Sequence, residues 1–206
     1  MSADNPRAGS LRDELTGQAP RGFRIAFPPG WRHYPVDERG RAALLRDVAE
    51  RARLAGRPDL DAALRRKVRE QLDGLQRGRG VAMYVPGPEA ASETGMPMSM
   101  VASRWLAPAG SALEADVRAR AGTEVVRIDL PHGTVLRWMV ERDGASTREG
   151  VHTRTVSYVY PEPGDDPRRG ILLTAGILHL GTPETDSVTS ALVELADAIV
   201  ETFRWS

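Results

Sequence analysis

The chain has 206 residues and carries 28 basic against 28 acidic side chains, so its formal net charge is zero. Hydrophobic residues make up 41% and there is no cysteine, which supplies one domain core and excludes disulfides, a thiol nucleophile and thiolate zinc sites. No apolar run approaches the roughly 20 residues of a membrane-spanning helix. The opening MSADNPRAGSLRDELTGQAP lacks the hydrophobic stretch of a secretory signal, so a cytoplasmic location is expected.

Every basic residue except Lys67 is arginine. Arginines occur along the whole chain, which fits codon bias better than selection for guanidinium forks. Residues 1–20 are polar and aperiodic and predict a flexible leader, with a short helix at 11–15. Residues 21–206 predict a single α+β domain. Phe23, Ile25 and Phe27 alternate with Arg24 and Ala26, the period-two pattern of a half-buried strand. Pro28-Pro29-Gly30 forces a turn, and 31–36 reads as a second strand. Asp37 can cap a helix running to about residue 55 and closed by Gly56, with Leu44, Leu45, Val48, Ala49 and Ala52 as its apolar stripe. Pro58-Asp59 opens a second helix, in which Leu60, Leu64, Val68, Leu72 and Leu75 recur every three or four residues before Gly78 and Gly80 end it. The two helices form a hairpin over 37–79.

Val81, Met83 and Val85 alternate as a strand. PGPEAASETG reads as a loop, and 97–106 as the next strand. Ser111-Ala-Leu-Glu114 matches a capping box for a helix to 121. Val126, Ile128 and Leu130 alternate toward Pro131-His132-Gly133, and Leu136, Trp138 and Val140 alternate away from it. A three-residue turn would pair 130 with 134 and put both apolar sets on one face. Asp143-Gly144 marks a further turn. Residues 151–160 and 171–180 are strand-like and flank the loop PEPGDDPRRG. Pro183 opens the last helix, with Val188, Leu192, Leu195, Ile199 and Phe203 as its buried stripe. The order β-β-α-α-β-β-α-β-β-β-β-α favours an antiparallel sheet covered by helices.

The opening FRIAFPPGWRHYPV, the meander from 123 to 180 and the ending LVELADAIVETFRW together resemble the PsbP-like α/β/α sandwich superfamily. That group takes in extrinsic photosystem proteins, a Ran-binding import factor, bacterial lipoproteins and effector chaperones. The resemblance covers about 22–36 and 123–206. It implies an α/β/α sandwich with the hairpin at 37–79 as an insertion, and a non-enzymatic binding or accessory role with no shared catalytic set.

The sequence holds no Gly-rich phosphate loop, no H-E-x-x-H and no G-x-S-x-G. Of four histidines, His132 falls in a turn and His33 should pack beside aromatics at a sheet edge. If 151–160 and 171–180 pair symmetrically about their loop, His152 and His179 face each other. Such a pair can ligate a metal with Glu141 or respond to pH, although a cross-strand polar pair is the plainer reading. Met96, Met98 and Met100 alternate, with Met83 on the neighbouring strand. Methionine recurs on adaptable binding surfaces, so these four are candidates for an apolar groove, with core filling as the alternative.

From 39 to 79, eleven arginines and Lys67 face six acids, a net of +6, whereas 182–206 has five acids and one arginine, a net of −4. Arg65, Arg66 and Arg69 are therefore candidate contacts for an acidic partner. The absence of aromatics from 37–79 and the neutral total argue against nucleic acid. The expected function is a non-enzymatic protein-interaction module, a chaperone, adaptor or regulatory accessory protein linked to secretion, with no cofactor. Its partner is another protein, and a homodimer is compatible with this reading. The alternatives are a small metal-dependent or histidine-using hydrolase built on His152 and His179, and a small-molecule or lipid carrier with a pocket between sheet and helices.

Overall fold

The computed structural model describes residues 22–54, 56, 61–87, 97–143, 151–164 and 168–206. In chain order the elements are β1 (Phe23–Arg24), β2 (Trp31–Pro35), α1 (Glu38–Leu54), α2 (Asp61–Arg77), β3 (Gly80–Pro86), β4 (Met98–Leu106) and α3 (Leu113–Ala121). They continue with β5 (Val126–Leu130), β6 (Gly133–Asp143), β7 (His152–Pro161), β8 (Arg169–His179), α4 (Pro183–Glu201) and β9 (Arg204–Trp205). Seven strands form one sheet in the order β2-β3-β4-β8-β7-β6-β5, and β1 pairs with β9 in a separate ribbon. Every pairing is antiparallel, as short connections dictate.

One face of the sheet carries the larger core. Tyr84, Met100, Ala175 and Val156 lie in one cross-strand row, and Ala102, Leu173 and Tyr158 in the next. Against these rows α4 lays Thr189, Leu192, Ala196, Ile199 and Val200. Just past the helix, Phe203 stacks on Tyr160 with ring centres 4.0 Å apart and on Phe23 at 5.3 Å. Tyr160 donates its hydroxyl to the Val200 carbonyl at 2.7 Å. Tyr158 donates to Asp197 at 2.7 Å, and Arg137 grips the same carboxylate through Nε at 2.8 Å and Nη2 at 3.2 Å. The helix is thus held by apolar burial and by hydrogen bonds whose loss would strand buried donors. The ribbon covers the same face, since Phe23, Phe27, Trp31 and Trp205 pack on this core.

The opposite face is covered in two pieces. The helical hairpin packs Leu44 and Leu72 onto Tyr34, Met83 and Val85 of β2 and β3. It approaches closely: a Cβ at Gly40 would sit 1.9 Å from the Pro35 carbonyl oxygen, so only glycine fits there. At the other end α3 places Leu113 and Val117 on Leu136, Trp138 and Val159. Ser99, Ser103, Thr174 and Gly176 lie on this same face, between the two pieces, and are half-buried. The molecule is an α+β fold with helices on both faces of an antiparallel sheet. The hairpin at 37–79 is one of its layers instead of a projecting arm.

Several local expectations are corrected. The β5–β6 hairpin turns on two residues, Pro131 and His132, and pairs Leu130 with Gly133, Ile128 with Val135 and Val126 with Arg137. The two apolar sets therefore face opposite ways. The tighter turn is allowed by Gly133 at φ 135°, and helices on both faces give each apolar set its own core. Helix α3 starts from Ala112 without a side-chain cap, so the capping box at Ser111 does not form. The buried stripe of α4 runs through Thr189 and Ala196 instead of Val188 and Leu195, and Val188 is exposed. Strand β1 is two residues long because Ala26 is drawn away to Thr202, its N–H donating to Oγ1 at 2.8 Å. The predicted leader, the turn at Gly144 and the start of the second helix at 58–60 lie outside the described residues.

Trp138 and Phe203 are 8% and 1% exposed, so Trp138→Ala and Phe203→Ala should each cost about 3–5 kcal/mol. Trp31 is only half-buried, and Trp31→Ala should cost less, about 1–2 kcal/mol. Urea denaturation of the three variants checks this order. Stabilities equal to wild type for Trp138→Ala and Phe203→Ala would contradict the core assignment.

Candidate functional site

The structure separates the methionines. Met98 and Met100 point into the core beneath α4, at 4% and 0% exposure. Met83 does lie on the neighbouring strand, but its partner across β3–β4 is Val101, so it faces the other way, against Tyr34, Leu44 and Leu72. A register in which Tyr84 opposes Met100 leaves no way to join the two sides into one groove. Met83, Met98 and Met100 fill cores and offer no shared binding surface. Met96 lies outside the described residues.

Two carboxylates of the hairpin are engaged, one within it and one with β2. Arg41 pairs with Asp73 across α1 and α2. Arg32 donates to Asp47 at 2.6 Å, and the Tyr34 hydroxyl donates to the same carboxylate. Burial, reinforced by that bond, pushes the Tyr34 phenol up to about 12. On α2, Arg65 is half-buried and engaged, whereas Arg66, Lys67 and Arg69 are exposed and have no acidic partner among the described residues.

His152 and His179 are directly opposed across β7–β8, as symmetric pairing about their loop requires. Their rings stack with centres 5.5 Å apart at 25°. The Gly181 N–H donates to His179 Nδ1 at 3.2 Å, so the ring proton sits on Nε2 and is donated to Glu141. Arg154 donates to the other Glu141 oxygen at 2.7 Å. Ring lone pairs lie in the ring plane, and two stacked imidazoles do not aim them at a common point. Among the described residues no three His, Asp or Glu side chains are placed to hold a metal. The cluster reads as a polar tie joining β6, β7, β8 and the turn into α4. Beside it lies an apolar cavity of about 370 Å³ that reaches Leu178, Leu180 and Val188.

The other two histidines are structural. His33 stacks on Tyr84 at 5.0 Å, and Phe27 and Trp31 continue the aromatic run. His132, expected in solvent, is half-buried with its ring 6.4 Å from that of Tyr160, and burial holds its pKa below the ordinary value.

One concavity was not legible in the sequence. A groove of about 660 Å³ opens between the β1–β9 ribbon and the β3–β4 end of the sheet. Phe23, Trp205, Tyr84 and His33 contribute aromatic surface, and Val81 and Ile171 apolar surface. Among the described residues four arginines, Arg79, Arg104, Arg168 and Arg169, also line it, against one carboxylate, Glu162. Glu162 is already paired with Arg169 at 3.0 Å. Arg79, Arg104 and the adjacent pair Arg168–Arg169 lie 25 to 90 residues apart, so no motif announces them. The only local hint is Arg79 between Gly78 and Gly80.

Burial alone would push the Glu141 carboxyl up, but hydrogen bonds from Arg154 and His179 outweigh it and hold the carboxyl below its ordinary value. A lowered folded-state value means stabilisation that is present above the unfolded carboxylate pKa of about 4.3 and is lost as the pH falls through the folded value. Glu141→Gln should therefore melt below wild type at pH 7, with the gap closing below about pH 4. Melting curves from pH 3 to pH 7 check it, and a gap independent of pH would contradict it.

No family model, no curated protein and no solved structure matches this chain, so its site is read from its own geometry.

Proposed function

We propose that this chain is a cytoplasmic, non-enzymatic protein-interaction module of PsbP-like layout, a chaperone, adaptor or accessory protein that docks an acidic protein surface. The observation that carries this reading is the outer face of α2. Arg66, Lys67 and Arg69 stand exposed within one turn, with no carboxylate partner among the described residues. Arg66 and Arg69 lie three apart, a like-charge spacing that disfavours a helix by about 0.2–0.5 kcal/mol. A partner's carboxylates would relieve it.

The placement of charge supports the same reading. The hairpin packs on one face of the sheet and α4 on the other. Among the described residues the basic excess of α1 and α2 and the acidic excess of α4 therefore lie on opposite faces of the sheet. Such an electric dipole steers an acidic partner toward the hairpin side. The PsbP-like relation is supported by the order of elements and the antiparallel sheet between helices, and fold alone names no partner.

The test is affinity capture from native lysate with wild type and with a triple variant, Arg66→Glu, Lys67→Glu and Arg69→Glu. An acidic partner should be recovered stoichiometrically by wild type, lost at least tenfold by the variant and weakened by raising salt from 0.05 to 0.5 M. The variant should melt at or near the wild-type temperature, because all three side chains are exposed. Equal capture by both proteins, or no stoichiometric partner with wild type, would overturn the proposal.

A further inference from the structure

We propose that the groove between the β1–β9 ribbon and the β3–β4 end of the sheet binds a small organic anion, an aromatic body carrying a phosphate or carboxylate head. This site is separate from the outer face of α2 and does not depend on protein docking there.

The first observation is unspent positive charge. Among the described residues the one carboxylate of the groove, Glu162, is committed to Arg169. Arg79 and Arg104 both line the groove and have no side-chain partner among the described residues. They are held side by side by the backbone, the Arg104 N–H donating to the Arg79 carbonyl at 3.0 Å. Arg104 is opposed across the sheet by Ile171, on the same face as the ribbon. Two arginines with adjoining backbones, both lining the groove beside Ile171, can supply a fork for the oxygens of a phosphate or carboxylate.

The second observation is where Arg79 sits. Among the described residues it is the one non-glycine at positive φ, at 60°. This is the left-handed position at which helices usually end on glycine. The chain has glycine on both sides, and Gly80 is needed there because a Cβ would lie 2.9 Å from the Leu75 carbonyl oxygen. An arginine held in a strained conformation, where glycine would be easier, points to a use for its side chain.

The third observation is shape. A volume of about 660 Å³ is in the range of small-molecule sites. Trp205 and Phe23 on one wall, and His33 where it stacks on Tyr84, offer aromatic surface to a flat apolar body. The same aromatic surfaces would give a bare inorganic anion nothing to rest on. Selectivity for a head joined to a body follows.

The experiment is isothermal titration of the full chain with phenyl phosphate, phenylacetate and inorganic phosphate. At least one aryl anion should bind with one site per chain, and the stronger of the two identifies the head group. Inorganic phosphate should bind at least tenfold more weakly. Arg79→Gly and Arg104→Gln should each weaken the aryl anion at least tenfold. Arg79→Gly should also melt at or above the wild-type temperature, which separates loss of binding from loss of fold. Trp205→Ala should narrow the gap between aryl and inorganic phosphate, and Arg53→Gln on the exposed side of α1 should change nothing. No heat from either aryl anion at millimolar concentration, or binding that survives both Arg79→Gly and Arg104→Gln, would overturn the proposal.

Discussion

Phe203 is the pin on which the architecture turns. Its ring lies flat against Tyr160 of the sheet, against Phe23 of the ribbon and edge-on to Trp205. One side chain therefore fixes three things: where α4 ends, where the ribbon sits and how the ribbon faces the sheet. Each aromatic contact contributes about 0.5–1.5 kcal/mol beyond burial. The Tyr160 hydroxyl on the Val200 carbonyl closes the arrangement at its polar end. Because the ribbon supplies one wall of the groove, the site inherits its shape from this packing. Burial pushes the Tyr160 phenol well above its ordinary range, so the contact stays neutral throughout the physiological range.

Charge is distributed with the layers. The acidic helix α4 is tied down by one of its own carboxylates, Asp197, through Arg137 and Tyr158. The hairpin on the other face ties Asp73 to its own Arg41 and Asp47 to Arg32 and Tyr34 of β2, and keeps Arg66, Lys67 and Arg69 outside. The groove forms where sheet, ribbon and the α2–β3 turn meet. Its cations come from the ends of elements, where side chains are not needed for the core. The strand ends thus hold Arg79 and Arg104 in place, and neither has a side-chain partner among the described residues.

The order of elements was legible in the sequence wherever one local rule decided it. Asp37 caps α1 by accepting the Gly40 N–H at 2.7 Å, Gly56 ends that helix, and Pro183 opens α4. The opposition of His152 and His179 followed from loop symmetry alone. What failed needed knowledge of layers. The β5–β6 register looked settled because both strands alternate, yet alternation fixes a face only when one face is dry. Here both faces are covered, so either register buries something apolar. The methionines failed for a related reason: neighbouring strands do not share a face by residue number, and the bulge between Gly80 and Ala82 sets which face Met83 takes. The groove was invisible because its cations meet only after the strands are paired.

Hydrogen exchange tests the dependence on Phe203 most directly. Gly22 and Ser206 donate their N–H groups to each other's carbonyls at 2.9 and 3.0 Å, and Phe203 donates to Val200 at 3.0 Å. If the ribbon is part of the core, the amides of Gly22, Ser206, β1 and β9 are protected together with the last turn of α4, and Phe203→Ala releases all of them in one step. Ribbon amides exchanging at the rate of free peptide, while the last turn of α4 stays protected in wild type, would contradict it.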